Sequence, residues 1–275
     1  MTIALSDAPP RPGRFDNVTP AGLVMMGFWI VVLAAIVWAL VGSIDQERLA
    51  KYGWRIFSGF LITLELVAVS MIVGAILSLP VAAGRLSSNR AAGALAYGYS
   101  YFFRGTPLIA QIFLIYYGAG QVAPQLKAIG LWWFFKDAFN CAALSFALNT
   151  AAYQAEILSG AIRNTHRGQR EAAAALGLHE MATLWKIILP QAFISALRPY
   201  GNELILMTKA SSIASIITVL DLMGQTRFVY SKTYDLSFYF WAAALYLITV
   251  EIVSRAVNAI ERWLTRHITP ASTVR

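Results

Sequence analysis

Long apolar runs alternate with short polar segments along most of this chain, and several runs are long enough to cross a bilayer at ~20 residues per helix. Residues 23–41 carry no charge and read as a first spanning helix. Residues 43–55 are polar and amphipathic, with Tyr52 and Trp54 suited to a membrane interface. A second apolar run, 57–83, is expected to end at Pro80 and the basic turn from Gly84 to Arg90. Residues 91–120 are apolar again but broken at Arg104-Gly105-Thr106-Pro107, where Thr106 suits a helix cap and Pro107 a first turn. Residues 121–137 read as a loop with Trp132 and Trp133 at an interface, and 138–162 as a span. After a polar turn at 163–170 and an Ala-rich polar stretch at 171–190, the run 191–222 is interrupted at Lys209-Ala210-Ser211-Ser212. Residues 223–236 are polar, 237–257 span, and the tail from 258 is basic. The pattern predicts an all-α membrane protein of six spanning helices, two of them discontinuous.

Composition agrees. Hydrophobic residues make up 58% and charged residues 13% of the 275, where soluble domains carry about 25% charge. Mean hydropathy is +0.59. One cysteine, Cys141, excludes an intrachain disulfide framework and suits a buried thiol. The net charge of +8 fits basic loops on one side of a membrane better than a nucleic-acid partner. The first twenty residues are polar and hold five Pro and Gly, so they read as a disordered leader rather than a cleavable signal. No metal-spaced His and Cys cluster and no nucleophile triad appears, and His166, His179 and His267 fall in polar segments. No catalytic and no metal residue is expected.

Side assignment follows from Lys and Arg. With the N-terminus in the cytoplasm, the loops on that side hold fourteen, the opposite loops seven, and Lys209 lies within a span. The bias places both termini and segment 171–190 in the cytoplasm. Within that segment, EAAAALGLHEMATLWKIILP, strong helix formers from Glu171 to Leu176 predict a short helix. Gly177 suits the left-handed residue that ends it, and a second helix follows until Pro190 closes the element. Taken alone, the pair could lie on lipid with Trp185 and Lys186 as anchors.

The spacing of Glu171-Ala172-Ala173, Gly177, Ile187 and Leu189-Pro190 resembles the "EAA" loop of bacterial ABC importer permeases. The wider chain agrees at Phe103 to Leu108, at Asn149 to Ile157, at Gly160-Ala161-Ile162 and from Ile187 to Phe193. It is similar to the polar amino acid branch, in particular membrane subunits for histidine, lysine, arginine and ornithine, and for opines. The resemblance implies a five-helix permease core at 57–264, preceded by an extra transmembrane helix and periplasmic segment at 23–56. A disordered leader at 1–22 and a basic cytoplasmic tail at 265–275 flank these. It implies an inner-membrane, multi-pass subunit that imports a polar, basic amino acid or an opine. Its expected partners are an ATP-binding cassette ATPase dimer docked on Glu171, Ala172, Ala173, Gly177, Ile187, Leu189 and Pro190, a second permease subunit (a paralogue or a second copy), a periplasmic binding protein and the lipid bilayer. No nucleic acid is expected. The chain lacks a G-x-x-x-x-G-K-[ST] phosphate loop, so no cofactor is expected here, and ATP and Mg belong to the partner ATPase.

Two departures stand out. Asn164-Thr165-His166 occupies the loop entry where the family usually has a proline, and Lys209-Ala210-Ser211-Ser212-Ile213 lacks the family's usual Asp. Four carboxylates fall within apolar runs, where a charge costs ~2.5–3.5 kcal/mol on insertion scales. Glu156 and Glu203, with Asn149 and Lys209, are the expected substrate pathway; an internal pair of Glu156 or Glu203 with Lys209 or Arg104 is the alternative. Glu65 and Glu251 are expected toward helix ends, with their charges reaching water. A secondary transporter driven by an ion gradient through the buried carboxylates is the rival function.

Overall fold

The computed structural model describes residues 19–42 and 46–266, which form helices and turns with no strand among the described residues. Most of the expected leader (1–18) and tail (267–275, with His267) lies outside the described residues. Residues 20–22 are already helical, and so is Thr265.

The chain divides into two units, 1–49 and 50–275. The first contributes α1 (Pro20–Gly42), which is apolar on every side with no polar stripe. The second begins within α2 (Gln46–Leu86). Next come α3 (Arg90–Gly105), α4 (Leu108–Gln121), two short helices α5 (Ala123–Ala128) and α6 (Trp132–Phe135), and α7 (Ala138–Arg163). Then α8 (Arg167–Ala175) and α9 (Glu180–Thr183) lead through a π turn, Leu184–Ile188, into α10 (Leu189–Ala210). A 3-10 segment, Ser211–Ile217, precedes α11 (Leu222–Thr233) and α12 (Ser237–Thr265).

Prolines mark the largest differences from expectation. Pro80 does not end α2, which continues to Leu86; Pro80 removes one donor, the one that would reach Ile76, and the remaining ladder carries the helix on. Pro190 does not close the coupling element either. The π turn before it lets the Leu189 amide reach the Leu184 carbonyl, and Pro190 then sits in the first turn of α10, where no donor is needed. At the other break, Thr106 does not cap α4: its hydroxyl donates to the Phe102 carbonyl (2.8 Å) and so finishes α3. The segment expected as a polar loop at 223–236 is mostly α11, whose Leu222, Gln225, Thr226 and Val229 are buried. The basic tail is helical to Thr265. Because α2 starts earlier and α12 ends later than expected, Glu65 and Glu251 lie well inside their helices, both exposed, and Glu251 pairs with Arg255 at 2.6 Å.

Three helices are long and apolar enough to cross a bilayer, over Pro20–Trp38, Ala50–Leu86 and Ser237–Thr265, and a pair bent by 49° (Glu180–Ile217 with Leu222–Thr233) makes a fourth. The other expected spans fall short for different reasons. The 14 residues of α4 reach about 21 Å, less than a hydrocarbon core of about 30 Å. The 26 residues of α7 reach about 39 Å, but Ser145, Asn149, Thr150, Gln154 and Ser159 lower its hydropathy while lying buried against protein.

That burial makes α7 the axis of the second unit. Its Cys141, Ala142 and Phe146 join Leu66 of α2, Ile112 of α4, Met207 of α10 and Ile217 in one apolar cluster. Nearer its C-terminal end, Ala155, Leu158 and Ile162 meet Ala82, Ile188 and Ala192. Small side chains permit this crowding. A Cβ on Gly74 of α2 would press on the Thr150 side chain and lie 3.2 Å from the Ala147 carbonyl, so only glycine lets α2 approach α7 there. A third cluster joins Ile56, Leu222, Val229, Phe238 and Ala242, seating α11 between α2 and α12.

Candidate functional site

The loop 171–190 and the polar centre around α7 stand at different places in the second unit. In the loop, α8 ends on Gly177 at φ +70°. The Gly177 amide donates to the Ala174 carbonyl (2.9 Å) and the Leu178 amide to Ala173 (3.0 Å), the paired bonds of a Schellman motif. His179 then caps α9, its Nδ1 accepting from the Met181 amide at 3.2 Å. The entry that lacks a proline is strapped otherwise: Arg170 Nη2 donates to the Ile162 carbonyl (3.0 Å) and Thr165 Oγ1 to Ala161 (3.3 Å). Glu171, Ala172, Gly177 and Pro190 are exposed, Ile187 and Leu189 half-buried, and Ala173 buried. The motif is thus split, with Ala173 buried and Ile188 packed against α7 and α10 while Glu171 and Ala172 face outward. Leu176, Met181 and Trp185 are exposed beside them.

In the polar centre, Asn149 Nδ2 donates to the Phe103 carbonyl (2.8 Å) and to Gln111 Oε1 (3.0 Å). Gln111 Nε2 donates to the same Phe103 carbonyl (2.9 Å) and to Thr106 Oγ1 (2.7 Å). These two amides satisfy the unwound backbone between α3 and α4, which a bilayer could not hydrate. Glu203 lies behind α7, buried, and accepts from Thr150 Oγ1 at 2.7 Å. Gln154 bridges Thr150 Oγ1 and the Met71 carbonyl, both at 3.2 Å.

Glu156 stands about two turns beyond Asn149 along α7, in a cleft of about 340 Å³ lined by Arg85, Tyr97, Ser100, Tyr101, Arg104, Gly105 and Tyr153. Arg85 Nε lies 2.7 Å from Glu156 Oε1, and Arg104 Nη1 lies 3.6 Å from Oε2. The Arg85 and Arg104 guanidinia also cover the Tyr97 and Tyr153 rings, at 5.2 and 5.3 Å. Arg163 donates to the Arg85 carbonyl, tying the end of α2 to the end of α7. Glu156 is therefore the pathway carboxylate that faces open space. Asn149 and Glu203 are engaged with protein, and Lys209 lines a separate cleft with Ser212, Met223, Tyr239 and Tyr246. Reasoning from sequence missed Arg85, which read as part of a basic turn, and Gln111. A lone amide within Leu108-Ile109-Ala110-Gln111-Ile112 was the available signal for the latter.

Broken spans thus pack on a polar central helix, with a two-helix loop outside it. Residues 74–269 match the family of binding-protein-dependent transport system inner membrane components, and the chain belongs to that family. It is 44% identical over 207 residues to the nopaline transport system permease protein NocM of Agrobacterium fabrum, covering 75% of this chain and 86% of that protein. It is 39% identical over 223 residues to the histidine/lysine/arginine/ornithine transport system permease protein HisM of Escherichia coli K12, covering 80% and 93%. An amino acid ABC transporter crystallised with histidines superposes with a TM-score of 0.72 at 32% identity, over 80% of this chain and 99% of that one. The methionine transporter MetNI shares the fold at 21% identity, with a TM-score of 0.66 over 81% and 100%. The chain is an inner-membrane permease subunit of an ABC importer, and the ATPase is a separate subunit.

Proposed function

We propose that this subunit forms part of an importer for a polar, cationic amino acid or an opine, with Glu156 meeting the cargo and loop 171–190 receiving the ATPase. The carrying observation for the cargo is the open cleft around Glu156, a carboxylate within the membrane unit whose side chain keeps 26% exposure despite two arginine neighbours. A carboxylate retained there at the cost of burial is best used on a cation. The relatives' cargoes, nopaline, octopine and the basic amino acids, all carry such a group. Glu203 and Asn149 form the wall behind that path, and Lys209 lines a second cleft at the other helix break.

For coupling, the exposed Glu171 and Ala172 and the exposed Leu176, Met181 and Trp185 offer a surface that this chain leaves uncovered. An ATPase dimer that holds ATP and Mg docks there, on the cytoplasmic side with both termini. A second permease subunit completes the pore, and a periplasmic binding protein delivers the cargo. Proteoliposomes holding the whole complex test this. Uptake of labelled L-arginine or octopine should need ATP and the binding protein and should survive an ionophore. Gly177→Asp, which cannot hold φ +70° at glycine's cost, should lower uptake at least tenfold. Uptake that persists without ATP and collapses with the ion gradient would favour a secondary transporter and overturn the reading.

A further inference from the structure

Arg85, Glu156 and Arg104 form an unbalanced trio. Two guanidinia share one carboxylate, and the cleft's lining contains no other acid. Glu203 accepts from Thr150 and makes no ion pair within 4 Å among the described residues, although its charge is felt at Arg104 from behind α7. The two arginines are not equivalent. Arg85 is close to Glu156, with a side chain only 18% exposed, whereas Arg104 is farther away and 42% exposed. Arg104 is therefore the guanidinium that can leave Glu156 at small cost. Beside it stands Ser100, which is 3% exposed and whose hydroxyl has no hydrogen-bond partner. A buried hydroxyl without a partner carries a penalty that a bound ligand can relieve. Tyr101 completes that side of the cleft.

We propose that Arg104 and Ser100 hold a carboxylate of the cargo, and that the cleft's surplus positive charge favours cargo bearing more than one carboxylate over a simple basic amino acid. This rests on the function proposed above, since it assigns a second group of the same cargo in the same cleft. The exchange turns two ion pairs into three. Arg85 stays on Oε1 of Glu156, the cargo's cationic group takes Oε2, and Arg104 turns from Glu156 to the cargo carboxylate. The planar guanidinium matches a carboxylate with two parallel N–H donors, which a lysine could not do. A plain basic amino acid brings a net positive charge into a cleft that already has one. An opine such as octopine, an amino acid with a second carboxylate attached through its α-nitrogen, does not. The cleft's ~340 Å³ lies at the small end of ligand sites, which run from about 300 to 1,000 Å³, so it suits a single cargo molecule of this size.

Equilibrium binding to the purified permease–ATPase complex, without the binding protein and in nanodiscs of neutral lipid, isolates the cleft's own preference. Three probes differ stepwise in carboxylates: octopine with two, L-arginine with one, and agmatine with none. The wild-type complex should bind octopine tightest and agmatine at least tenfold more weakly than L-arginine. Arg104→Gln should flatten that order to within about threefold, with agmatine bound no more weakly than by the wild type. Arg104→Lys, which keeps the charge, should restore part of the preference and guard against a folding defect. An order unchanged by Arg104→Gln, or agmatine binding as tightly as L-arginine to the wild type, overturns the proposal. So does a preference that appears only when phosphatidylglycerol is added, which would assign the cleft to a lipid phosphate. In any of these cases ATP-driven uptake in proteoliposomes would leave the importer reading standing. Absence of such uptake for all cargoes would remove both.

Discussion

The two helix breaks solve one problem in opposite ways. Between α3 and α4, the freed backbone is satisfied from outside: Asn149 of α7 and Gln111 of α4 converge on the Phe103 carbonyl and Thr106. Between α10 and α11, most of the repair is local. Ser211, Ser212 and Ser215 each donate to the carbonyl three residues back, at 2.7 to 2.8 Å. Thr218 takes a left-handed turn at φ 71°, and Asp221 Oδ1 accepts from the Gly224 amide at 2.8 Å. From elsewhere, Thr63 accepts from the Leu222 amide at 3.0 Å and Arg227 donates to Ser215 O at 3.3 Å, with Tyr246 of α12 standing against Ser211 and Asp221. The first break is a fixed joint riveted to the axis helix. The second holds itself together and keeps polar capacity in reserve, since Asp221 Oδ2 and Gln225 Oε1 are buried without a partner.

Breaking the first joint should cost most. Gln111→Leu leaves Asn149 and the unwound carbonyls short of partners at once, so the complex should lose roughly 3 kcal/mol, at ~1–3 kcal/mol per buried group left unpaired. A thermal-unfolding series of the assembled complex in detergent reads that loss; a shift indistinguishable from wild type would show that the joint is not held by these amides. Asp221→Leu should cost less, about 1 kcal/mol, because the lost cap is partly offset by removing the unpaired Oδ2. If Asp221→Leu proves as damaging as Gln111→Leu, the two breaks are not energetically different. Thr218→Gly should have the smallest effect and the opposite sign. A β-branched residue at positive φ is strained, so glycine should stabilise by up to about 1 kcal/mol, seen as a rise in the same melting temperature.

Both breaks were legible in the sequence, because Arg104-Gly105-Thr106-Pro107 and Lys209-Ala210-Ser211-Ser212 place polar and helix-breaking residues inside apolar runs. Their repair was less so. Asn149 drew notice as a polar residue in a span, yet its partner at Phe103 is 46 positions away, and pairing over that distance depends on how helices pack. The cleft at Glu156 was half visible. Arg104 is a partner the sequence offers, whereas Arg85 reads as a loop charge, because only the extension of α2 beyond Pro80 brings it to α7. The helix α11 was hidden by its own composition. Buried at Leu222, Thr226 and Val229 while carrying Arg227 and Lys232, it has a pattern that reads as polar. The coupling loop was clear in outline from Gly177, and its far boundary was lost at Pro190, where a proline that normally stops a helix is taken up by a π turn.

That π turn has a mechanical consequence. From Glu180 to Ala210 the chain runs as one unbroken rod, close to 45 Å long at ~1.5 Å per residue. One end of the rod begins just past the Gly177 corner and the other ends at the second break. With no slack joint at Pro190, a displacement applied at the corner is delivered whole to Ser211–Ile217. The lever bears on α7 and α12 along most of its length, and on α2 through Ile188 and Ala192 against Ala82.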